Sequence, residues 1–275
     1  MADILITVDE LAARIGRDPR LRVLDVRWWL DAPDGRPAFE AGHLPGAVYV
    51  DLESELSAHG APSDGRHPLP EPAALQAAAR RWGLHDGDEV VVYDDARSMA
   101  AARAWWMLAD AGVDVRILDG ALSAWTRAGH PLETRPSAPE PGSITLGSGR
   151  LPRLTIDEAA ELGRSGTLLD VRAPERFRGE TEPIDPVAGH IPGARNLPTA
   201  TLADEDGRFL PADELRARFA GVGAGDEVGL YCGSGVSASH AFVAATLAGL
   251  RPALYPGSWS QWSNTPGRPV ATGDA

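Results

Sequence analysis

The chain has 275 residues, of which 43% are apolar and 24% charged, and its formal net charge is −13 at pH 7. This length allows two domains that each bury a core, and no apolar stretch approaches the length of a membrane span, so we expect a globular protein without a membrane partner. The negative charge argues against nucleic acid as a partner, because the phosphate backbone repels it at long range.

Residue usage narrows the chemistry further. A single cysteine cannot form an internal disulfide, and the first residues lack the pattern of a secretory signal, so we expect a cytoplasmic protein. All 26 basic residues are arginine, which excludes Schiff-base chemistry through a lysine. The seven histidines show no ligand spacing, and we therefore predict neither a metal nor a cofactor.

Short apolar runs that alternate with helical stretches predict an α/β fold. In chain order, the predicted elements are strand 22–26, helix 72–82, strand 89–93, helix 100–111, strand 115–118, strand 167–171, helix 212–219, strand 227–231, helix 238–250 and strand 252–255. Strands and helices that alternate in this way form a parallel sheet with helices on both faces. Such sheets bind ligands beyond the carboxyl ends of their strands.

The chain also contains an internal repeat. Four segments recur in the same order at offsets of 145, 147, 138 and 137 residues: LDVR at 24–27 and 169–172, GHLPGA at 42–47 and GHIPGA at 189–194, GDEV at 87–90 and 225–228, and LDGxxSxW at 118–125 and YPGxxSxW at 255–262. We infer two tandem domains, residues 1–135 and 151–275, joined by a Pro- and Ser-rich linker at 136–150. Because His43 and His190 of the GHxPGA segments occur in both copies, we assign them to a shared structural turn.

The only cysteine follows predicted strand 227–231 and opens a loop of small residues, CGSGVS at 232–237. Backbone N–H groups of such a loop can turn inward, and the N-terminus of the next helix adds partial positive charge. The pattern therefore predicts a thiolate nucleophile at Cys232, with an inert buried cysteine as the alternative. The main-chain groups predicted to cradle it belong to Gly233, Gly235, Val236 and Ser237. The hydroxyls of Ser237 and Ser239 are predicted to cap the helix.

The first copy differs at the equivalent position. Alignment of the strand ends places Asp94 opposite Cys232, and the loop at 94–99 lacks the two glycines. A carboxylate cannot perform thiolate chemistry, and fewer backbone donors can face inward without glycine. We therefore predict that the N-terminal domain is catalytically inactive.

The RFRGE segment at 176–180, the paired GH(L/I)PGA segments and the CGSGV loop resemble those of the tandem rhodanese-domain sulfurtransferases, over essentially the whole chain. The resemblance implies two rhodanese-like domains, sulfur transfer through a cysteine persulfide, and an active site in the cleft between the domains. The CGSGV loop is similar to that of the 3-mercaptopyruvate sulfurtransferases, whereas members selective for thiosulfate carry a basic CRKGV-like loop.

The same resemblance implies roles for residues around the cysteine. Ser234 matches a loop serine, and we expect its hydroxyl to relay a proton to the departing enolate; the alternative is a turn residue. Arg176 matches an arginine that binds the donor carboxylate, with a surface ion pair to Glu175 or Glu180 as the alternative. The second arginine of the mercaptopyruvate enzymes is missing from residues 182–186, and Arg178 is a substitute at different spacing.

Two residues of the first copy complete the predicted site. Glu53 and His67 match an aspartate and a histidine that the family groups with the cysteine, and the alternative is that both are solvated loop residues. They lie in a stretch where the first copy is nine residues longer than the second (46 against 37 residues, from Ala47 to Tyr93 and from Ala194 to Tyr231).

These expectations define a sulfurtransferase that takes a sulfane sulfur from 3-mercaptopyruvate, releases pyruvate, and passes the sulfur to cyanide or to a thiol acceptor such as thioredoxin or a low-molecular-weight thiol. Thiosulfate is the alternative donor. Because it is a dianion, a loop without Arg or Lys offers it less electrostatic stabilisation than a basic loop would. A sulfur carrier or interaction protein without turnover is the alternative of another class. A phosphatase or arsenate reductase is disfavoured, because Ala238 stands where those enzymes need an arginine.

Overall fold

A computed structural model describes residues 3–135 and 138–274, so residues 136 and 137 of the predicted linker lie outside the described residues. The described residues form two compact units. The first unit contains residues 3–58, 70–135, 138–151 and 205–208, and the second contains residues 59–69, 152–204 and 209–274. Residues 59–69 therefore pack with the second unit although they precede most of the first unit in the chain.

The first unit is built on a five-stranded parallel sheet. Its strands are β1 (Leu5–Ile6), β2 (Leu21–Asp25), β3 (Val48–Tyr49), β4 (Glu89–Tyr93) and β5 (Asp114–Leu118), in the order β1-β5-β4-β2-β3. Its helices are α1 (Val8–Arg14), α2 (Arg36–Ala41), α3 (Leu52–Glu55), α4 (Pro72–Arg81), α5 (Met99–Asp110) and α6 (Ala121–Arg127). The central strand β4 is buried at four of its five residues, which is why it consists of consecutive apolar residues rather than an alternating pattern.

The second unit repeats this plan on a four-stranded parallel sheet. Its strands are β6 (Leu168–Asp170), β7 (Arg195–Asn196), β8 (Glu227–Tyr231) and β9 (Arg251–Leu254), in the order β7-β6-β8-β9. Its helices are α7 (Ile156–Ser165), α8 (Pro174–Phe177), α9 (Ala212–Gly221), α10 (Val236–Leu247) and α11 (Ser258–Asn264). A single parallel bridge from Arg153 to Leu254 takes the place of β1. The α/β class and the parallel sheets predicted from the sequence are confirmed.

The repeated sequence segments make the same contacts in each unit. The arginine of each LDVR segment forms a buried ion pair with the aspartate two residues earlier, Arg27 with Asp25 at 2.7 Å and Arg172 with Asp170 at 2.6 Å. Breaking one partner of such a buried pair costs about 3–5 kcal/mol, because the other charge is left without compensation. Both segments are therefore structural in each copy.

The two GHxPGA histidines also have equivalent environments. His43 stacks on Phe39 with ring centroids 3.8 Å apart, and His190 stacks on Phe177 at 3.7 Å. Each ring places its Nδ1 within hydrogen-bond distance of the backbone oxygen of the same phenylalanine. The prediction that these histidines belong to a structural turn is confirmed.

None of the helices within residues 3–135 and 138–274 is long and apolar enough to cross a membrane.

Candidate active site

Strand β8 ends at Tyr231 and delivers Cys232 to the carboxyl edge of the second sheet. Cys232 is buried, with 2% of the residue's surface exposed. Its backbone N–H donates to Ser258 Oγ at 3.1 Å, and its carbonyl accepts from Trp259 N–H at 2.9 Å. The first turn of α11 therefore fixes the main chain of Cys232 on both sides.

Gly235 makes the turn from the cysteine into α10. It adopts φ = 85°, in the left-handed region that favours glycine, and it is the N-cap of a helix that begins at Val236. Its N–H donates to Cys232 Sγ at 3.1 Å. The first N–H groups of a helix have no intrahelical acceptor, and they carry the positive end of the helix dipole. The N–H of Gly235, at the start of α10, is therefore a main-chain donor to the sulfur of Cys232.

The predicted capping role of the two serines is wrong. Gly235 occupies the N-cap position without a side-chain hydrogen bond, and Ser237 lies inside the first helical turn. Ser239 Oγ instead donates back to the Gly235 carbonyl at 2.9 Å, one turn earlier. A left-handed glycine at the N-cap lets the helix begin at Val236, so that no hydroxyl is needed as a cap.

Ser234 and His67 form a buried pair beside the cysteine. Ser234 Oγ lies 2.7 Å from His67 Nδ1, and the two residues are 6% and 2% exposed. His67 reaches this position because residues 59–69 pack within the second unit. The alternative of a solvated loop histidine is wrong, since the ring is almost fully buried.

Arg176 lies beside the loop and is anchored by acidic residues. Its Nη2 contacts Glu182 at 2.6 Å and Asp185 at 3.4 Å, while its Nη1 lies 3.6 Å from the position that a Cβ on Gly233 would occupy. The predicted alternative, a pair with Glu175 or Glu180, is wrong for this arginine.

Arg178 has different surroundings. It forms an exposed two-point ion pair with Glu180, at 2.7 and 2.9 Å. Its side-chain contacts therefore connect it to Glu180 rather than to the cysteine loop.

Arg66 is a site residue that sequence analysis missed. Its Nη1 contacts Asp185 at 2.7 Å, and its Nη2 lies 3.1 Å from the position of a Cβ on Gly233. Its backbone N–H donates to Ser260 Oγ at 3.0 Å. The available signal was its place directly before His67 in the longer segment of the first copy, but that segment gave no indication of which side chains face the loop.

The acidic residues balance the charge of these arginines. Burial raises the pKa of Asp185, an effect that Arg66 opposes. The pKa of Glu182 is lowered by its hydrogen bonds from Arg176 and from the Asp185 backbone, which outweigh its burial. Two guanidinium groups and two carboxyl groups thus face one another next to Gly233, and the cluster has little net charge when both acids are ionised.

Glu53 belongs to the first unit, where it is the second residue of α3. Its carboxylate accepts a hydrogen bond from Trp28 Nε1 at 2.7 Å. The alternative of a solvated loop residue is not what the structure shows, because the carboxylate is half-buried and engaged.

The equivalent loop of the first unit is occupied by the side chain of Asp94. One carboxylate oxygen accepts from the N–H groups of Ala96 and Ser98 at 2.9 and 2.8 Å, and the other accepts from Ala100 and Ala101 at 2.9 and 3.0 Å. Ser98 is the N-cap of α5, and Ala100 and Ala101 are its second and third helical residues. The carboxylate therefore fills a cradle of the kind predicted around Cys232.

The family model for the rhodanese-like domain matches the chain twice, at residues 7–128 and 155–265. A Mycobacterium tuberculosis protein provisionally named thiosulfate sulfurtransferase SseB is 50% identical over 99% of this chain and 98% of its own length. A Pseudomonas aeruginosa protein provisionally named 3-mercaptopyruvate sulfurtransferase is 48% identical, with 98% of each chain covered.

A solved structure agrees with these sequence relatives. The crystal structure of SseA from Escherichia coli, described as a 3-mercaptopyruvate sulfotransferase, superposes with a TM-score of 0.84 at 32% identity. The match covers 94% of this chain and 99% of SseA. The chain therefore belongs to the rhodanese family, as a sulfurtransferase with two rhodanese-like domains in tandem.

Proposed function

We propose that this sulfurtransferase takes its sulfur from 3-mercaptopyruvate and holds it as a persulfide on Cys232. The observation that carries the proposal is the position of Cys232 Sγ, which accepts the Gly235 N–H at the start of α10. In the first step, the Cys232 thiolate attacks the donor sulfur, and the carbon–sulfur bond of the donor breaks. The bonding electrons pass to the carbon fragment as the enolate of pyruvate, and the enzyme retains the sulfur together with the donor's thiol proton as Cys232–S–SH. Loss of this proton gives Cys232–S–S⁻ and balances the proton that the enolate takes up.

The Asp94 loop supports this assignment of the cradle. In Asp94, two bonds separate Cβ from each carboxylate oxygen, and in a persulfide two bonds separate Cβ from the outer sulfur. The N-cap amide donates to Asp94 in the first unit and to Cys232 Sγ in the second. The second and third helical amides, which donate to Asp94 Oδ2 in α5, correspond to those of Ser237 and Ala238 in α10. We assign these two amides to the outer sulfur, and fixed dipoles of this kind stabilise an anion without reorganising during the reaction.

Ser234 and His67 serve the proton transfer. The enolate must gain a proton to become pyruvate, and the Ser234 hydroxyl beside the cysteine is the group that delivers it. His67, at 2.7 Å from that hydroxyl, replaces the proton. The role of Glu53 rests on the family resemblance alone, and its bond from Trp28 places it in the first unit.

The second half of the cycle returns the cysteine to its starting state. A nucleophilic acceptor, either cyanide or a thiolate of thioredoxin or of a small thiol, attacks the outer sulfur. The sulfur–sulfur bond breaks, Cys232 leaves as a thiolate, and the acceptor departs with the sulfur. A thiol acceptor fits a cytoplasmic protein with one cysteine, which is the location that we propose.

In this proposal the first domain, residues 1–135, performs no sulfur chemistry, and residues 151–275 carry the reaction after the linker at 136–150. The support is that Asp94 satisfies four loop amides with its own carboxylate and leaves no nucleophile at the end of β4.

Thiosulfate is the second candidate donor, and a specific observation favours it. The CGSGV loop has no basic residue, yet Arg66 and Arg176 lie beside Gly233 and offer positive charge to a small anion. Asp185 and Glu182 offset that positive charge. The dianion thiosulfate therefore gains less electrostatic stabilisation from the two arginines than a single carboxylate that binds one guanidinium group.

A side-by-side kinetic comparison tests the proposal. The kcat/KM values for 3-mercaptopyruvate and thiosulfate are measured with cyanide as the common acceptor, for the wild type and for Cys232→Ser. We expect a higher value for 3-mercaptopyruvate and no transfer from either donor in the variant. A preference for thiosulfate would reassign the donor, and a single turnover that then stalls would identify a carrier.

A further inference from the structure

Ser260 lies in the first turn of α11 and is 2% exposed. Its backbone N–H donates to the carbonyl of Gly233, in the cysteine loop, at 2.8 Å. Its Oγ donates to the Gly257 carbonyl at 3.2 Å and accepts the backbone N–H of Arg66 at 3.0 Å. One residue therefore holds the cysteine loop through its main chain and residues 59–69 through its side chain.

These contacts complete a closed ring, the Ser260 ring, around the buried Ser234–His67 pair. From the Ser260 N–H the ring passes to Gly233 and along the chain to Ser234. Ser234 Oγ lies 2.7 Å from His67 Nδ1. From His67 the ring returns along the chain to Arg66, whose N–H donates to Ser260 Oγ. The separation of Ser234 and His67 is therefore fixed by the acceptor at Ser260 as well as by their own contact.

Gly65 lets residues 59–69 approach α11 closely enough for this contact. It adopts φ = 93°, in the left-handed region that favours glycine. A Cβ on Gly65 would lie 3.0 Å from the Gly257 carbonyl oxygen and 3.3 Å from Ser260 Oγ. A side chain at this position would therefore separate the segment from α11, at the point where Ser260 accepts the Arg66 N–H.

The first unit has the same serine in a different setting. Ser123 Oγ donates to the Gly120 carbonyl at 2.9 Å, as Ser260 Oγ does to Gly257. Ser123 is exposed, whereas Ser260 is buried where Arg66 contacts α11. Within the described residues, the intrahelical bond is therefore common to both copies, and the bond from Arg66 is what the second unit adds.

We propose that Ser260 is a positioning residue, which holds residues 59–69 against the cysteine loop so that His67 stays in contact with Ser234. The inference rests on the proposed function, in which Ser234 and His67 transfer a proton to the enolate. Ser260 acts through the Ser260 ring and not on the donor itself. Misplacement by about 1 Å can cost on the order of 10²-fold in rate, so a single acceptor at this point can control the proton-transfer step.

Ser260→Ala tests the proposal by steady-state kinetics with both donors. The variant keeps the N–H that holds Gly233 but loses the acceptor for Arg66, so we expect kcat with 3-mercaptopyruvate to fall by about tenfold or more. Transfer from thiosulfate, which releases no enolate, should fall less. Ser123→Ala is the matched control, because it removes the same intrahelical bond from α6 and should leave kcat unchanged.

A double variant shows whether Ser260 acts through Ser234. Once Ser234→Ala has removed the hydroxyl, the position of His67 no longer affects the relay, so the addition of Ser260→Ala should lower kcat no further. Losses that multiply in the double variant would place the effect of Ser260 elsewhere and overturn the proposal. Circular dichroism establishes that the rates refer to folded protein.

Gly65→Ala is a second variant in case Ser260→Ala does not fold. It retains the Ser260 hydroxyl but separates the segment from α11, so we expect the same selective loss of kcat with 3-mercaptopyruvate. Gly87→Ala is its control, since Gly87 has a similar φ of 84° and an added Cβ there would meet open space among the described residues.

An unchanged kcat in folded Ser260→Ala, or equal losses with the two donors, would overturn the proposal and leave Ser260 as a structural contact of α11. Absence of turnover with 3-mercaptopyruvate in the wild type would instead contradict the proposed function. In that case, the NMR signals of the His67 imidazole still test the positioning. We expect them to shift in Ser260→Ala and not in Ser123→Ala, and unchanged signals in both variants would overturn the proposal.

Discussion

The loop at 94–101 of the first unit and the loop at 232–238 of the second follow equivalent strands and lead into equivalent helices, but they use their amides differently. In the first loop, four N–H groups at 2.8–3.0 Å are satisfied by the carboxylate of Asp94. In the second loop, Gly235 N–H donates to a single sulfur atom at 3.1 Å. The carboxylate of Asp94 thus occupies the first cradle, whereas in our proposal the second cradle accepts the outer sulfur of a persulfide.

The surrounding structure is repeated even where the chemistry is not. Leu122 N–H donates to the Asp94 carbonyl, and Trp259 N–H donates to the Cys232 carbonyl, both at 2.9 Å. The residue before each of these donors has a left-handed backbone, with φ = 56° at Ala121 and 53° at Ser258. Only the second unit has a hydroxyl at this position, and it accepts the Cys232 N–H. Ser258 thus adds a contact to the reactive loop that the first unit does without.

Conversion of the second loop to the first should have the largest effect. Cys232→Asp supplies a carboxylate that can accept the cradle amides but cannot carry sulfur, so we expect sulfur transfer to fall by at least about 10³-fold. We expect the variant to remain folded, because the equivalent loop of the first unit accommodates the carboxylate of Asp94. A smaller loss of sulfur transfer, in a variant whose circular dichroism spectrum is that of the wild type, would contradict the role of Cys232 as the nucleophile.

Asp94→Asn should have the next largest effect, on stability rather than on activity. The amide NH₂ of asparagine would face two backbone N–H groups, those of either Ala96 and Ser98 or Ala100 and Ala101. Two buried donors without acceptors should lower the free energy of unfolding by about 3 kcal/mol. Denaturant unfolding measures this change, and kcat per folded molecule should not change. A neutral effect on stability would show that Asp94 does not close the first cradle.

Ser234→Ala tests the proton relay of the active loop. The variant retains the backbone amides but loses the hydroxyl that contacts His67, so we expect kcat with 3-mercaptopyruvate to fall by about 10–100-fold. Ser165→Ala is the control, because Ser165 donates to a helix carbonyl on an exposed surface. Transfer from thiosulfate, which releases no enolate, should fall less. Equal losses with the two donors would argue against a proton-transfer role.

Asp95→Asn should give the smallest effect, and the size of this effect depends on pH. Burial, with Asp94 adjacent, raises the pKa of Asp95 to about 7. Between the ordinary pKa of an aspartate and that value, the unfolded chain releases a proton that the folded chain keeps, so this group lowers stability as pH rises. The substitution should therefore raise Tm by about 2 °C at pH 8, after allowance for solvent screening, and should have no effect at pH 4. Equal shifts at the two pH values would contradict the raised pKa.

Local patterns were sufficient for the framework. Strands β4 and β8 have the predicted bounds, since five consecutive mostly apolar residues between polar turns fit a buried parallel strand. Helix α10 was predicted to begin at residue 238 but begins at Val236. The sequence GSG does not indicate which glycine adopts the left-handed conformation. Because Gly235 does so, the helix begins two residues earlier than predicted, and neither serine caps it.

Local patterns could not predict the contacts that span long sequence distances, and only the family resemblance grouped His67 with the cysteine. Arg66 meets Asp185 across 119 residues, and His67 meets Ser234 across 167 residues. No periodic pattern encodes such pairs, and the acidic stretch at 182–186 indicated only that an arginine was missing there. Arg66 belongs to the longer segment of the first copy, and residues 59–69 of that segment pack within the second unit.

The most direct test of the account is the mass of the intact chain after incubation with 3-mercaptopyruvate, followed by treatment with cyanide. Because the chain has one cysteine, a persulfide on cysteine can form at one position only. We predict the gain of one sulfur atom per chain, its removal by cyanide as thiocyanate, and no gain in Cys232→Ser. Turnover of the donor by Cys232→Ser, or a gain of sulfur in that variant, would contradict the claim that the open cradle of the second unit holds the transferred sulfur.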